Sequence, residues 1–417
     1  MSSDVLGAIV VGAGQAGLAA SYHLKRLGVE HVLLERGLPG ESWRSQRWDS
    51  FVLNTPNAVN SLPDQPFNPG APPGDFESCS VLVDYFDDYA RSQNLPLRSN
   101  TPVSQASRLP GSDLIEVTVP GDTLLTRNLV VASGAQNAPK MPGVTGQCPD
   151  GVKSIHSADY RNPAALPSGA VLVFGSAQSG CQVVEELLAA GRTVYLSTSK
   201  VGRVRRRVRG KDVVHWMGQT GFMNQTVTDL PDPAMQFAAQ PVTTGVAGGY
   251  TISLQSLWRK GARLLGRLES FDGTRAIFRD NLQENIRFGD GFSQKFLEQI
   301  GAVIGKLEPD APALESDPAD EVDPDALELS APTELDLKEA GVTSVIWTTG
   351  FGGNYNWLQV EGAIDSDGMP LQENGGSPAD GVYFLGIPWL RVRASALIYG
   401  ADADGAAIAE HLAARLL

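Results

Sequence analysis

The 417-residue chain has only three cysteines, Cys79, Cys148 and Cys181, and they lie far apart in the sequence. No CxxC pair is present, so the sequence predicts neither a disulfide framework nor a zinc site. The chain also lacks an apolar run near the roughly 20 residues that a membrane helix needs. Residues 1–4 lack the basic segment of a secretory signal, and a strand pattern follows almost at once, so we expect a cytoplasmic protein.

Basic residues are also fewer than acidic residues. The chain has 33 Lys and Arg against 47 Asp and Glu, a net charge of −14. Binding to nucleic acid needs a basic face, so nucleic acid is excluded as the expected partner. The acidic, proline-rich residues 308–338 are expected to face water. Hydrophobic residues make up 42% of the chain, which is enough to fill a sizeable core.

Two β-turn-α-β units begin about 160 residues apart. Apolar runs at 8–11 and 31–34 flank the first helical pattern, and runs at 171–174 and 193–196 flank the second. This order predicts an α/β fold with two Rossmann-like dinucleotide-binding domains. We expect the first domain to comprise residues 1–165 and 335–417 and the second, inserted into it, residues 166–334. A closing helix is expected over 403–416, with Asp402 as its cap.

The first unit contains the motif GAGQAG at residues 12–17, directly after a strand. In this motif Gly12 allows a tight turn, Gly14 lets the backbone approach a diphosphate, and Gly17 lets the helix pack on the strand. Glu35 ends the next strand, 18 positions after Gly17, where a carboxylate can bind both hydroxyls of a ribose. The motif alone does not separate FAD from NAD.

The second unit contains GSAQSG at residues 175–180, with Ala177 in place of the middle glycine. Eighteen positions after Gly180 stands Thr198 rather than an acid. Hydroxyls and cations follow it, at Ser199, Lys200 and Arg203. A missing carboxylate beside such groups suits the 2′-phosphate of NADPH better than the bare ribose of NADH. The methyl group of Ala177 is expected to weaken or shift nucleotide binding at this turn.

A protein with two such sites moves a hydride from nicotinamide to flavin. Disulfide reductases pass the electrons to a nearby cysteine pair, but the segment GESWR at residues 40–44, which follows Glu35, has no cysteine. That route is therefore excluded. Oxygen activation, an external electron acceptor and direct reduction of a substrate stay open.

Five further segments resemble motifs of one family, the class B flavin-containing monooxygenases related to indole-pyruvate and N-hydroxylating enzymes. They are GESWR at 40–44 (family GGxWR), 48–56 (Y-x-x-L-x-x-N-x-P), 130–143 (VVATG…P…PG), 153–160 (a shortened F-x-G-x-x-H-x-x-x-[YF]) and 345–351 (ATGY). The chain departs from the motifs at Glu41, Trp48, Phe51 and Thr348, and the leading Phe of the fingerprint is missing. The resemblance covers nearly the whole chain.

This resemblance implies that NADPH reduces FAD, that O2 then forms a C4a-(hydro)peroxyflavin, and that a small organic substrate is oxygenated. Asn54 matches a family asparagine near the flavin edge and NADP+, so it is the expected catalytic residue. Insertion of oxygen beside a ketone ranks lower, because the full Baeyer–Villiger fingerprint is absent. Two alternatives remain: an NADPH-dependent flavin reductase or oxidase that uses an external acceptor or O2, and a nucleotide-bound sensor.

The residues expected to bind FAD are Gly12, Gly14, Gln15, Ala16, Gly17, Glu35, Arg36, Ser42, Trp43, Asn54, Val103, Ala132, Gly134 and Ile387. Those expected to bind NADPH are Gly175, Ser176, Gln178, Ser179, Gly180, Ser199, Lys200 and Arg203. An apolar or aromatic substrate is expected from Trp216, Phe222, Met223, Phe237 and Tyr250. No metal site and no membrane span are expected, and a homodimer is the assembly considered.

Overall fold

The computed structural model describes residues 5–416. Residues 1–4, on which the cytoplasmic expectation rests in part, lie outside the described residues. The strands are β1 (Val5–Leu6), β2 (Ala8–Val11), β3 (His31–Leu34), β4 (Leu97–Arg98), β5 (Gln105–Arg108), β6 (Ile115–Val119), β7 (Asp122–Thr126), β8 (Leu129–Val131), β9 (Ala138–Pro139), β10 (Lys153–His156), β11 (Ala170–Phe174), β12 (Val194–Ser197), β13 (Arg207–Val208), β14 (Lys211–Asp212), β15 (Arg263–Leu265), β16 (Leu268–Asp272), β17 (Arg275–Phe278), β18 (Glu334–Asp336), β19 (Val342–Trp347), β20 (Phe351–Gly352), β21 (Leu358–Gln359) and β22 (Val382–Phe384). The α-helices are α1 (Gln15–Arg26), α2 (Glu41–Ser45), α3 (Cys79–Ser92), α4 (Gln178–Ala189), α5 (Val213–Gln219), α6 (Leu254–Arg259), α7 (Leu282–Leu307), α8 (Pro324–Leu327) and α9 (Ile398–Leu416).

The first parallel sheet has the strand order β22-β8-β2-β3-β4. Its central strand β2 is buried along its whole length and pairs with β3 on one side and β8 on the other. Strands that are covered on both faces read as continuous apolar runs, which is the pattern of residues 8–11. The sequence prediction of a Rossmann-like first domain is confirmed.

The second parallel sheet has the order β10-β19-β11-β12-β15. Strand β11 occupies the place of β2, with β12 on one side and β19 on the other. The sheet thus takes strands from 153–156 and 342–347, which the predicted boundaries assign to the first domain. A local sequence pattern does not say which sheet a strand joins, because sheet membership depends on pairing between distant segments.

The remaining strands form smaller sheets around these two. Strands β5, β6 and β7 make an antiparallel meander within a mixed sheet, whose outer strands are β1 and β21. Strands β16, β17 and β18 form an antiparallel sheet beside the second parallel sheet.

The closing helix α9 packs on α1 beneath the first glycine turn. Gly405 makes this approach close, since a Cβ atom there would lie 3.0 Å from the backbone nitrogen of Ala20. The helix begins at Ile398 rather than at the expected 403, so the prediction of Asp402 as its cap was wrong. Asp402 lies inside the helix instead, with its Oδ1 2.7 Å from His23 Nε2.

The expectation that the acidic residues 308–338 face water was wrong for part of them. Several of their carboxylates, between Glu308 and Asp320, pair with the basic residues 203–211. Glu308 lies 2.5 Å from Lys211 Nζ, and Asp317 lies 3.9 Å from Arg205 Nε. Glu315 accepts a hydrogen bond of 2.8 Å from the backbone of Arg209. Two segments of opposite charge, about 100 residues apart in sequence, therefore neutralise one another.

Within residues 5–416, none of the helices combines the length and the apolar character required to cross a membrane.

Candidate active site

The glycines of the first turn are required by its geometry. The backbone of Gly12 has φ of 106°, and a Cβ there would lie 2.5 Å from the carbonyl oxygen of Ala132. A Cβ at Gly17 would lie 1.8 Å from the carbonyl oxygen of Gly12, which no side chain can tolerate. At Gly14 the case differs, because nothing lies within 4 Å of the Cβ position. Gly14 thus leaves open space in front of the N-terminus of α1, where an anion is favoured.

A cavity of about 310 Å³ lies in front of this turn. Most residues expected to bind FAD line it, namely Gly12, Gly14, Gln15, Ala16, Glu35, Arg36, Ser42, Trp43, Val103, Ala132 and Gly134. Gly17 packs beneath the turn instead, and neither Asn54 nor Ile387 is among the lining residues. Gly386 and Ala396 do line the cavity, so the segment after β22 forms part of its wall.

Glu35 is fixed on the wall of this cavity by two backbone donors. Its Oε2 accepts a hydrogen bond of 2.7 Å from the nitrogen of Ala13, and its Oε1 accepts one of 3.0 Å from the nitrogen of Gly37. The side chain is buried and lies at the end of β3. A carboxylate held in this way can accept hydrogen bonds from ribose hydroxyls, which is the role that the sequence predicted.

Gln15 ties the first turn to distant segments. Its Nε2 donates to the carbonyl oxygen of Ala396 at 3.1 Å, and its Oε1 accepts from Trp43 Nε1 at 3.4 Å. Arg47 also lines the cavity, with its guanidinium carbon 4.8 Å from the centroid of the Trp43 ring. Burial lowers the pKa of Arg47. Sequence reasoning missed Arg47, which lies beyond the end of α2, so no helical spacing linked it to Trp43.

The second turn repeats the backbone of the first. Gly175 has φ of 105°, and a Cβ at Gly180 would lie 1.9 Å from the carbonyl oxygen of Gly175. Ala177 occupies the place of Gly14 with nearly the same dihedral angles, φ −81° against −79°. The duplication predicted from sequence therefore extends to the backbone of the turns. The difference is that the Ala177 methyl group occupies the space that Gly14 leaves open.

The cleft beside this turn, here called the second cleft, has a volume of only about 20 Å³. The segment 242–243 packs along it, and Val242 lines it. The side chain of Gln178 donates to the carbonyl oxygen of Thr243 and accepts from its nitrogen at 3.1 Å. Val242 donates to the carbonyl oxygen of Gly202 at 2.9 Å. A dinucleotide is far larger than this cleft, so it can enter only if segments that line the cleft move.

Ser176, Ser199 and Arg203 line the second cleft, as expected for residues that bind a nucleotide. The guanidinium of Arg203, however, is already bound by the carboxylates of Asp290 and Asp320 and is 5% exposed. Lys200 Nζ lies at the surface, 2.7 Å from Glu284 Oε1. Neither cation is therefore free of a carboxylate partner in this structure, and their contact with a 2′-phosphate stays a prediction.

Asn54 lies where the two domains meet. Its Oδ1 accepts a hydrogen bond of 2.8 Å from Gln182 Nε2 of α4, and its carbonyl oxygen accepts one of 3.0 Å from Arg206 Nη1. Arg206 is almost fully buried, and burial lowers its pKa to about 10 although Asp212 lies 2.8 Å away. The catalytic role of Asn54 stays a prediction. Gln182 and Arg206, which sequence reasoning missed, hold it in place.

The five residues that suggested an apolar substrate do not form a pocket wall together. Trp216, Phe222 and Met223 are buried in a hydrophobic cluster with Phe296 and Ile300 of α7. Phe237 is 80% exposed. The expectation of an apolar or aromatic guest therefore loses the residues on which it rested, because helix α7 covers most of them.

The thiols offer no redox pair. All three cysteines are free, and burial raises the pKa of Cys79 to about 11. Among the described residues, no group of His, Cys, Asp or Glu side chains is arranged to hold a metal ion. His156 Nε2 lies 3.0 Å from the carbonyl oxygen of Gly350, and burial lowers its pKa, which fits a neutral residue that links segments of the structure.

The fold and the site together define an α/β oxidoreductase with two dinucleotide-binding turns. The chain belongs to the pyridine nucleotide-disulphide oxidoreductase family, whose model matches residues 9–217. The match spans both glycine turns. The three cysteines of this chain are free.

Curated relatives match the chain over different lengths. An uncharacterized CzcO-like oxidoreductase of Geobacillus kaustophilus is 29% identical over 96% of each chain. The indole-3-pyruvate monooxygenase YUCCA1 of rice is 31% identical over 45% of this chain and 46% of its own. The resemblance to flavin-containing monooxygenases that the motifs predicted is thus confirmed.

Solved structures share the fold across the chain. A flavin-containing monooxygenase from Stenotrophomonas maltophilia superposes with a TM-score of 0.68 at 18% identity, covering 99% of this chain and 100% of its own. The bacillithiol disulfide reductase Bdr of Bacillus cereus gives 0.62 at 14% identity, over 99% and 100%. The OTEMO complex with FAD and NADP gives 0.57 at 17% identity, over 100% and 86%. At such identities the likeness shows the fold alone, which monooxygenases and a reductase share.

Proposed function

We propose that the protein is a single-component monooxygenase that uses FAD, NADPH and O2 to oxygenate a small organic substrate. The observation that carries this proposal is the pair of matching glycine turns in a chain whose three cysteines are free. Two dinucleotide sites pass a hydride from one cofactor to the other, and without a thiol pair the electrons must leave by another route. The relatives that are monooxygenases favour O2 as the acceptor.

The first cavity fits FAD. Gly14 leaves space for a diphosphate at the N-terminus of α1, and the carboxylate of Glu35 stands on the cavity wall where a ribose would lie. Trp43, held by Gln15, and the partly buried cation Arg47 line the same cavity. The FAD and NADP named for the OTEMO complex support the same pair of cofactors here.

The residues of this chain bind and orient the cofactors, and FAD supplies the redox chemistry. When bound, FAD accepts a hydride from NADPH and activates O2 at its C4a position. The glycine turn offers backbone donors to the diphosphate, and the segment after β22 closes the cavity wall at Gly386 and Ala396. Asn54, held by Gln182 and Arg206, presents an amide between the two domains.

NADPH is proposed to occupy the second cleft. Ser176 and Ser199 line it, and α4 begins directly behind the turn. The segment 242–243 must release Gln178 for the nucleotide to enter. This release also bears on Asn54, because the neighbouring Gln182 lies within 3.5 Å of Thr244 Oγ1.

The test measures where the electrons go. The FAD-loaded protein is mixed with NADPH and O2 and a panel of indoles, amines, sulfides and ketones, and NADPH consumed, peroxide released and oxygenated product are counted. The proposal expects at least one compound to raise the product yield while peroxide falls by the same amount. Peroxide equal to NADPH with every compound would instead identify an oxidase, and no NADPH consumption would identify a nucleotide-bound sensor.

A further inference from the structure

The second cleft contains a buried hydrogen-bond acceptor that lacks a partner. Asn285, on α7, lines the cleft together with Ser176 and Ser199 and is 1% exposed. Its Nδ2 donates to Thr198 Oγ1 at 2.9 Å, while its Oδ1 has no hydrogen-bond partner among the described residues. Buried polar atoms are nearly always paired, so an unpaired acceptor beside a nucleotide-binding turn points to a ligand that donates to it.

The contacts of Thr198 explain why the unpaired acceptor lies on α7 rather than at the end of β12. It stands 18 positions after Gly180, as Glu35 stands 18 after Gly17. Its hydroxyl, however, donates to the carbonyl oxygen of Leu265 at 2.7 Å and accepts from Asn285. The hydroxyl of Thr198 is thus already used, and it fixes the amide of Asn285. The free acceptor beside the second turn therefore comes from α7 rather than from the end of β12.

The charges around the second cleft favour recognition by hydrogen bonds rather than by free cations. Arg203 lines the cleft, but Asp290 and Asp320 bind its guanidinium. Gln255 donates to the same Asp290 at 2.7 Å, and the Asp320 carboxylate also accepts from Ser293 at 2.6 Å. The cluster of one arginine and two aspartates carries one net negative charge, so it offers no surplus positive charge to a phosphate.

We propose that Asn285 Oδ1 accepts a hydrogen bond from a hydroxyl of the adenosine ribose when the second cleft opens to a nicotinamide nucleotide. This inference rests on the proposed function, which supplies the nucleotide as the ligand. Both NAD and NADP carry a free 3′-hydroxyl on that ribose, so the amide serves either nucleotide. A carboxylate in the same place would accept from the ribose but repel a 2′-phosphate.

The test measures nucleotide binding rather than turnover. The full-length, FAD-loaded protein is titrated with NADP+ and with NAD+ in a calorimeter, as wild type, Asn285→Ala and Asn285→Asp. Loss of the acceptor in Asn285→Ala is expected to raise both dissociation constants about tenfold. Asn285→Asp is expected to raise the dissociation constant for NADP+ at least tenfold and that for NAD+ by less than about threefold.

Asn281→Asp is the matched control. It makes the same change of charge at the residue before α7, one helical turn away and outside the second cleft, and is expected to leave both constants within about twofold. Unchanged constants in Asn285→Ala would overturn the inference, as would equal weakening of both nucleotides by Asn285→Asp. If Asn285→Asp does not fold, Asn285→Ala decides alone. If the wild-type protein binds neither nucleotide, the proposed use of NADPH is overturned together with the inference. If the nucleotides bind with the same dissociation constants in wild type and Asn285→Ala, only the inference is overturned.

Discussion

The two glycine turns have nearly the same backbone but different surroundings. The φ angles of Gly12 and Gly175 differ by 1°. In each turn, a Cβ atom added to the third glycine would lie 1.8 or 1.9 Å from the carbonyl oxygen of the first glycine. Yet a cavity of about 310 Å³ lies before the first turn and one of about 20 Å³ before the second. The residue after each middle position is a glutamine that binds a distant segment. Gln15 donates to Ala396 beside the large cavity, whereas Gln178 donates to Thr243 beside the small one.

This difference separates what a local motif determines from what the rest of the chain adds. The motif fixes the turn, because only glycine tolerates the contacts and the φ angle there. Whether a nucleotide can enter depends on segments more than 60 residues away, which pack against the turn.

The largest expected effect is that of Gly17→Ala. The added methyl group would collide with the backbone of Gly12, so we expect loss of bound FAD and a fall in the free energy of unfolding on the order of 3 kcal/mol. The measurements are the FAD content after purification and the thermal midpoint. Full FAD content at an unchanged midpoint would show that the first turn is not the FAD site.

Glu35→Gln should have the next largest effect. Hydrogen bonds to a charged group contribute about 1.5–3 kcal/mol each, so replacing the carboxylate that holds Ala13 and Gly37 is expected to raise the dissociation constant of FAD about 10- to 100-fold. FAD rebinding to the stripped protein gives the constant. Glu30→Gln, an exposed acid just before β3, is the control and should match wild type.

The middle residues of the two turns, Gly14 and Ala177, can be exchanged to test whether the missing methyl group accounts for tight nucleotide binding. Gly14→Ala meets no atom within 4 Å and keeps an allowed φ, so the thermal midpoint should hold while FAD affinity falls about tenfold. Ala177→Gly should do the reverse and tighten NADP+ binding about threefold. Equal FAD affinity in Gly14→Ala would mean that the backbone there does not approach the diphosphate.

The smallest effect concerns pH, because each parallel sheet contains one buried histidine. Burial lowers the pKa of His31 in β3 and of His156 in β10 below the usual 6.5. As the pH falls, the unfolded chain therefore binds these protons at a higher pH than the folded protein does. The free energy of unfolding is thus fully present above pH 6.5 and declines as the pH falls below 6.5. Each histidine can contribute at most about 1.4 kcal/mol per pH unit. In His156→Gln the thermal midpoint should decline less steeply between pH 6.5 and 5, and an unchanged slope would exclude His156 as a source.

The elements that carry the fold could be predicted where local pattern decides them. The runs at 8–11 and 171–174, the glycines and Glu35 lie where the sequence indicated, because strand burial and turn geometry are local constraints. The start of α9 at Ile398 was not predicted, and its packing on α1 joins two segments that are far apart in sequence. Closure of the second cleft, the pairing of Arg203 with Asp320, and the burial of Trp216 under α7 all depend on contacts between distant segments, which no motif reveals.

The central claim is that the first turn holds the flavin and the second delivers the hydride. It is tested most directly in Gly180→Ala, where the added methyl group would collide with Gly175 in the second turn alone. Wild type and variant are mixed with NADPH without oxygen, and bleaching of the flavin absorbance is followed, with dithionite as the control reductant. The account predicts that the variant keeps its FAD and is bleached by dithionite as fast as wild type, but by NADPH at least about 100-fold more slowly. Bleaching by NADPH at the wild-type rate would contradict it.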